Sequence, residues 1–161
     1  MKGLLSFLNL NFLPKSPDFA LLALRIVLGG SMLVLHGWKK AELYMGWGSW
    51  SGKEIARKAR IAEFPDPLHL SSQWSLLSAG LVEVVCSVLL IVGFCSRFAA
   101  LGLAFTMGVA FFMAHQRILS GEKSGELAMI YLAGFIVLLF SGPGRFSFDG
   151  NGGGSAGHAA H

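Results

Sequence analysis

The sequence predicts an all-α integral membrane protein: four transmembrane helices in an up-down-up-down bundle, with a long Trp-rich interfacial loop between helices 1 and 2. Three observations predict it. The chain is 53% hydrophobic and only 14% charged, where soluble domains carry about 25% charged residues. Its mean hydropathy is +0.60, high for a chain that must dissolve in water. Its apolar residues gather in blocks close to the roughly 20 residues that a helix needs to cross the hydrocarbon core.

The N-terminal stretch MKGLLSFLNLNFLPKSP has a lysine and a short apolar run. Asn9 and Asn11 break that run, Pro14 and Pro17 end it, and no small-residue cleavage site comes after it. It reads as an amphipathic segment lying at the interface, not as a signal peptide. The first span is expected over residues 19–36, from Phe19 to His36. A long loop, Gly37–Gln73, comes next. It holds Trp38, Trp47 and Trp50, with Trp74 next in line, and tryptophans at span edges mark an interfacial belt. Within it, GKEIARKARIA reads as a short basic helix, either on the membrane surface or with a solvated charged face. The two prolines of FPDPL then break the chain.

The second span is expected over residues 74–94 and the third over 97–115, joined by Cys95 and Ser96 alone. So short a link makes an antiparallel hairpin. The fourth, over 126–141, is the shortest and comes after the polar turn QRILSGEKSG. Short links give up-down-up-down order. Residues 1–149 therefore read as one membrane domain, and 150–161 (GNGGGSAGHAAH) as a disordered Gly-rich tail. His158 and His161 fall in that tail and are not read as metal ligands.

The net charge of +4 suits anionic lipid headgroups. It forms no basic stripe on a soluble fold, so nucleic acid is not an expected partner. Cys86 and Cys95 lie nine positions apart in one apolar stretch, on roughly opposite helix faces at ~100° per residue. They read as small hydrophobes, not as a dithiol pair. No nucleotide loop, nucleophile elbow, zinc-protease motif or EF-hand occurs. More basic residues fall in the long loop and the third-to-fourth turn than beside the termini. The positive-inside rule therefore puts loop 37–73 in the cytoplasm.

Ionisable residues inside spans are costly and ask for a partner or a function. Arg25 lies eleven residues before His36, and Glu83 nine residues after Trp74. At 1.5 Å rise per residue both sit ~13–16 Å below one membrane face. A buried Arg25–Glu83 ion pair is expected, fixing helix register or handling a proton or ligand. Gly29 and Gly80, each one turn away, would let the backbones approach. A second group gathers at one face of an up-down bundle: His36, Lys40, His115 and Glu126. Ala104, Gly108 and His115 share a stripe on the third span, which turns His115 into the bundle. This group could hydrogen-bond a quinone head or relay protons. His36 or His115 could ligate a haem or pigment. Alternatively the histidines are interfacial side chains satisfied by backbone and headgroups.

Several motifs fall in an order that resembles the DoxX family of small membrane proteins. LALRIVLGGSMLVLHGWKK carries an embedded arginine and a terminal HGW-x-K. FPDPLHL precedes GLVEVVCSVLLIVGFCSRFAAL, with Val-Glu and then Gly and Arg. The fourth span closes on GPGRFSFD. The resemblance covers about Leu21–Asp149. It implies a four-helix fold in the bacterial or archaeal cytoplasmic membrane and an association with oxidoreductase systems, one branch working with thiosulfate and quinone. It marks Arg25, His36, Lys40, Glu83, Arg97 and Arg145 as motif positions. The insertion GWGSWSGKEIARKARIAE departs from the shorter loop expected of the family.

The first functional expectation is a membrane subunit or accessory of a quinone-linked redox system, not an enzyme by itself. The second is a non-catalytic subunit packed on the helices of a larger respiratory or photosynthetic complex. The third is a small-molecule transporter formed as an oligomer. Lipid, other membrane subunits and quinone are the expected partners.

Overall fold

The computed structural model describes residues 16–121 and 124–152. The N-terminal segment, residues 1–15, and the tail beyond residue 152, with His158 and His161, lie outside the described residues. Those described form helices and connections with no strand.

Helix α1 (Pro17–Met32) begins where the Ser16 hydroxyl accepts from Phe19 N–H at 3.3 Å, with Pro17 and Asp18 in the first turn. Side-chain oxygen, fixed φ and negative charge all suit a helix start. The helix does not stop at His36. It widens into a π turn, Leu33–Gly37, and continues as α2 (Trp38–Met45) until Gly46 caps it at φ +75. Residues 37–45 of the expected loop are therefore helical, because nothing in WKKAELYM breaks a helix.

A 3-10 turn (Gly48–Trp50) leads to α3 (Glu54–Ala62), the basic segment. Arg57 of α3 donates to the Tyr44 carbonyl at 2.8 Å, so a cation satisfies an orphan carbonyl at the end of α2. Trp47 and Trp50 lie in the connection between α2 and α3, but the first tryptophan of the expected loop does not. Trp38 stands on α2, stacks near Trp47 (centroids 5.5 Å apart) and donates to Glu42 at 3.0 Å.

Helix α4 (Ser72–Val92) turns through Gly93–Cys95 into α5 (Ser96–Val109), which ends in a second π turn, Ala110–Ala114. Helix α6 (Glu126–Ser141) comes next, then the short α7 (Phe148–Gly152). Gly150 and its two successors, read from sequence as the start of the disordered tail, complete α7. Among the described residues three helical stretches are long and apolar enough to cross a membrane: Pro17–Trp50, Ser72–Val92 and Ser96–Ala114. Glu126–Ser141 is also apolar but shorter.

Glycines set how these helices meet. A Cβ on Gly37 would come within 3.0 Å of Val84 and 3.3 Å of Glu83 backbone; one on Gly29 would meet Ile91 at 2.9 Å; one on Gly80 would meet Lys40 at 3.2 Å. Numbers rise along α1–α2 as they fall along α4, so the two pack antiparallel at close range. Gly108, by contrast, has nothing within 4 Å. It marks no close helix contact, which corrects that member of the stripe expected on the third span, while Ala104 is buried in the core. The core comprises Met32 of α1, Leu90 of α4, Leu103 and Met107 of α5 and Phe135 of α6. Outward the bundle is also apolar: Phe98, Phe105 and Phe140 are each at least 64% exposed, a surface suited to lipid tails.

Candidate functional site

The two π turns and α4 enclose a cavity of about 550 Å³. That is the size of ordinary small-molecule sites, which run ~300–1,000 Å³. His36 lies within the first π turn, Ala110 and Ala114 within the second, and all three line the cavity. A π turn inserts an extra residue and rotates the next stretch of helix, and such turns gather at functional sites. Most of the wall is apolar: Val82, Met107, Leu127 and Ala128 among others.

The polar groups on the wall are few: His36, Lys40, Glu83 and His115, with Ser75, Ser78, Thr106, Ser124 and Tyr131. Lys40 Nζ donates to Glu83 Oε1. Glu83 is fully buried, while the Lys40 side chain keeps 21% exposure. The second oxygen, Glu83 Oε2, has no hydrogen-bond partner among the described residues. The His36 ring meets Tyr131 edge-on, centroids 5.6 Å apart, and Tyr131 stacks on Phe135. His115 is held against Gly125, where a Cβ would come within 2.9 Å of it.

Over this cavity lies the segment between α3 and α4. Phe64, Pro65, Pro67, Leu68 and Leu70 face the cavity, and Asp66 holds the segment in place. Its carboxylate accepts from Ser75 Oγ at 2.6 Å, Ser71 N–H at 2.8 Å and Leu70 N–H at 2.9 Å. The Ser75 hydroxyl and these amides hold the Asp66 carboxyl below its ordinary range.

The structure therefore brings His36, Lys40 and His115 to one cavity, but not Glu126. Glu126 is exposed at the first turn of α6. Gly125 packs on His115, so the next residue turns outward, where a carboxylate suits the positive end of the helix. The expected Arg25–Glu83 pair is also corrected. Arg25 lies beside Gly93, ten residues and about 15 Å along α4 from Glu83. The expected pairing takes His36 as the membrane edge, whereas the helix runs on to Met45. Lys40, one turn beyond His36, is the partner instead.

Arg25 serves a second assembly. Its guanidinium donates to the Phe146 carbonyl, and the chain after α6 folds back over it. Asp149 accepts from Cys95 N–H at 2.9 Å and Ser96 N–H at 2.8 Å, capping α5 from fifty-odd residues away. Those amides, Ser96 first, with Arg25 nearby, hold the Asp149 carboxyl below its usual range. Arg145 N–H donates to Asp18 at 2.9 Å, and Arg97 flanks Gly142. The three family-motif arginines thus gather at the C-terminal segment, away from the cavity.

Sequence reasoning missed Asp66, the Phe64–Leu70 cover and Tyr131. Tyr131 carried a signal: it alone breaks the apolar run between Glu126 and Ser141 with a side-chain hydroxyl. The cover carried none, since prolines announce a break but not what the broken segment lies on. Among the described residues no three metal-ligating side chains converge.

A family model described as DoxX matches residues 20–116. An uncharacterized protein of Haemophilus influenzae is 32% identical over 148 residues, covering 87% of this chain and 96% of the relative. A second uncharacterized protein of the same organism is 28% identical over 129 residues, covering 75% of this chain and 82% of the relative. No solved structure gives a significant match.

Proposed function

This chain belongs to the DoxX family of membrane proteins, and on that premise we propose that it holds a quinone-type ring as an accessory subunit of a redox system. In this reading the four apolar helices cross the bacterial cytoplasmic membrane up-down-up-down, with residues 46–71 on the cytoplasmic side by charge.

One observation carries the reading: an apolar cavity with a buried Lys40–Glu83 pair on its wall. A buried ion pair is no aid to stability by itself, and ionisable groups within membrane helices are kept chiefly for function. A quinone joins an apolar body to a ring with two carbonyl oxygens. The Lys40 ammonium has three N–H donors and spends one on Glu83, and His36 and His115 supply further polar contacts at the wall. Electrons would pass to or from a partner subunit, and these residues would bind and orient the ring.

The test is saturable binding of a decyl-benzoquinone to the full chain in nanodiscs, read by calorimetry. Ala79 lines the cavity, and A79F fills it without touching a charge. Saturable binding that A79F removes is the expected result. Binding of equal strength in A79F, or no binding of either the quinone or its quinol to the wild-type chain, overturns the reading.

A further inference from the structure

The strongest unexplained feature of the molecule is one atom, Glu83 Oε2. Its residue is 0% exposed and is one of those that line the cavity, and the atom itself is buried with no hydrogen-bond partner among the described residues. A buried acceptor left unmade costs the desolvation of that group, more so when it is charged. Native proteins leave few such groups, and a bound molecule is one way to complete them.

We propose, resting on the quinone reading above, that the cavity is matched to the hydroxyl-bearing reduced ring, the quinol, in preference to the quinone. Donors and acceptors decide the preference. A carboxylate oxygen only accepts. Both polar atoms of a quinone ring are carbonyl oxygens, which also only accept, so a quinone beside Oε2 sets two acceptors against each other. A quinol O–H donates to Oε2, and its oxygen can still accept from the Lys40 ammonium. A hydroxyl bonded to a carboxylate makes a charge-assisted bond, the stronger kind.

The same geometry restricts the rest of the ligand. Lys40 and Glu83 already balance each other, so a charged ligand would bring an uncompensated charge into an apolar cavity. Val82, Met107 and Leu127 ask for an apolar body. The ligand class is a neutral phenol-type ring with at least one free hydroxyl on an apolar frame.

A hydrogen bond to a charged group contributes ~1.5–3 kcal/mol, which corresponds to about tenfold or more in affinity. The experiment measures three probes on the full chain in nanodiscs under argon: a decyl-benzoquinone, its quinol, and the quinol dimethyl ether. The quinol should bind at least about tenfold tighter than the quinone, and the ether, having no O–H, should bind no better than the quinone. In E83Q the preference for quinol should shrink to about twofold or less. Equal binding of all three probes to the wild-type chain overturns the inference and leaves the quinone reading standing. Failure of every probe to bind overturns both. Because the ether comparison uses only wild-type protein, the test does not depend on E83Q folding.

Discussion

Lys40 of α2 and Glu83 of α4 form the ion pair that joins these two helices, with Gly80 and Gly37 flanking it at close backbone range. Glu83 Oε2 has no hydrogen-bond partner among the described residues, so the carboxylate depends on Lys40 for its compensation. Removing one member of a buried pair typically costs 3–5 kcal/mol, whereas replacing both by apolar groups of similar volume is often near neutral. K40M should therefore lower stability by about 3–5 kcal/mol, and K40M/E83L should recover most of that loss. Unfolding of the detergent-solubilised chain measures both. Additive losses in the double variant would show that the two side chains act independently.

Asp149 gives the pH dependence. Folded, its carboxyl is held below the ordinary range by the Ser96 and Cys95 amides, helped by Arg25; unfolded, it titrates near ~3.9. The folded state binds the proton less readily, so the contribution is complete above the unfolded value and is lost as pH falls through the folded one. Because the carboxylate stands as a cap on α5, D149A should cost about 0.5–2 kcal/mol at neutral pH. Melting curves from pH 7 to 2 should show the gap between wild type and D149A narrowing only at the acid end, below the ordinary carboxyl range. A gap that stays constant with pH would mean that the charge on Asp149 does nothing.

Much of the fold is legible because lipid demands long apolar helices, and such lengths cannot hide in a sequence. What hid was where the first helix ends. His36, Gly37, Trp38 and Lys39 look like a span edge, since glycine, tryptophan and lysine gather there. Backbone hydrogen bonding ignores that composition and carries the helix through a π turn to Met45. That single shift moved the partner of Glu83 from Arg25 to Lys40. The grouping of His36, Lys40 and His115 was legible because it needs only their common level in the bundle. The outward turn of Glu126 was not, because it depends on how Gly125 meets His115.

Gly37 and Gly108 separate close packing from mere smallness. A Cβ on Gly37 would stand 3.0 Å from Val84 Cγ2 and 3.1 Å from Val84 N, while Gly108 has open space around it. Side-chain methyls can shift, but backbone nitrogen in the middle of α4 cannot easily do so. G37A should lower stability by about 1–3 kcal/mol, as overpacking does, and should weaken ring binding by moving Lys40 relative to Glu83. G108A should leave both unchanged. Thermal unfolding of the two variants side by side decides it, and equal effects would refute the packing role of Gly37.

On the proposed ring-binding reading, the Asp66 latch should set how fast a ligand enters and leaves. Three bonds from Leu70, Ser71 and Ser75 converge on one carboxylate, and the segment that they fix places Phe64, Pro65 and Leu70 against the cavity. Ser71 and His69 sit at φ +90 and +55, in the left-handed region that non-glycine residues seldom occupy, so the segment keeps this shape only while something holds it. D66A removes the hold by a change at a residue that does not itself line the cavity, though its partners Ser75 and Leu70 do. Dissociation of a bound decyl-quinol should quicken several-fold in D66A. Association should quicken as well, because opening helps both directions, so the equilibrium constant should move far less than either rate. Stopped-flow release into excess empty vesicles gives the dissociation rate, and calorimetry gives the equilibrium. If affinity falls while the dissociation rate stays at the wild-type value, Asp66 shapes the site itself and the cover is no barrier to exchange.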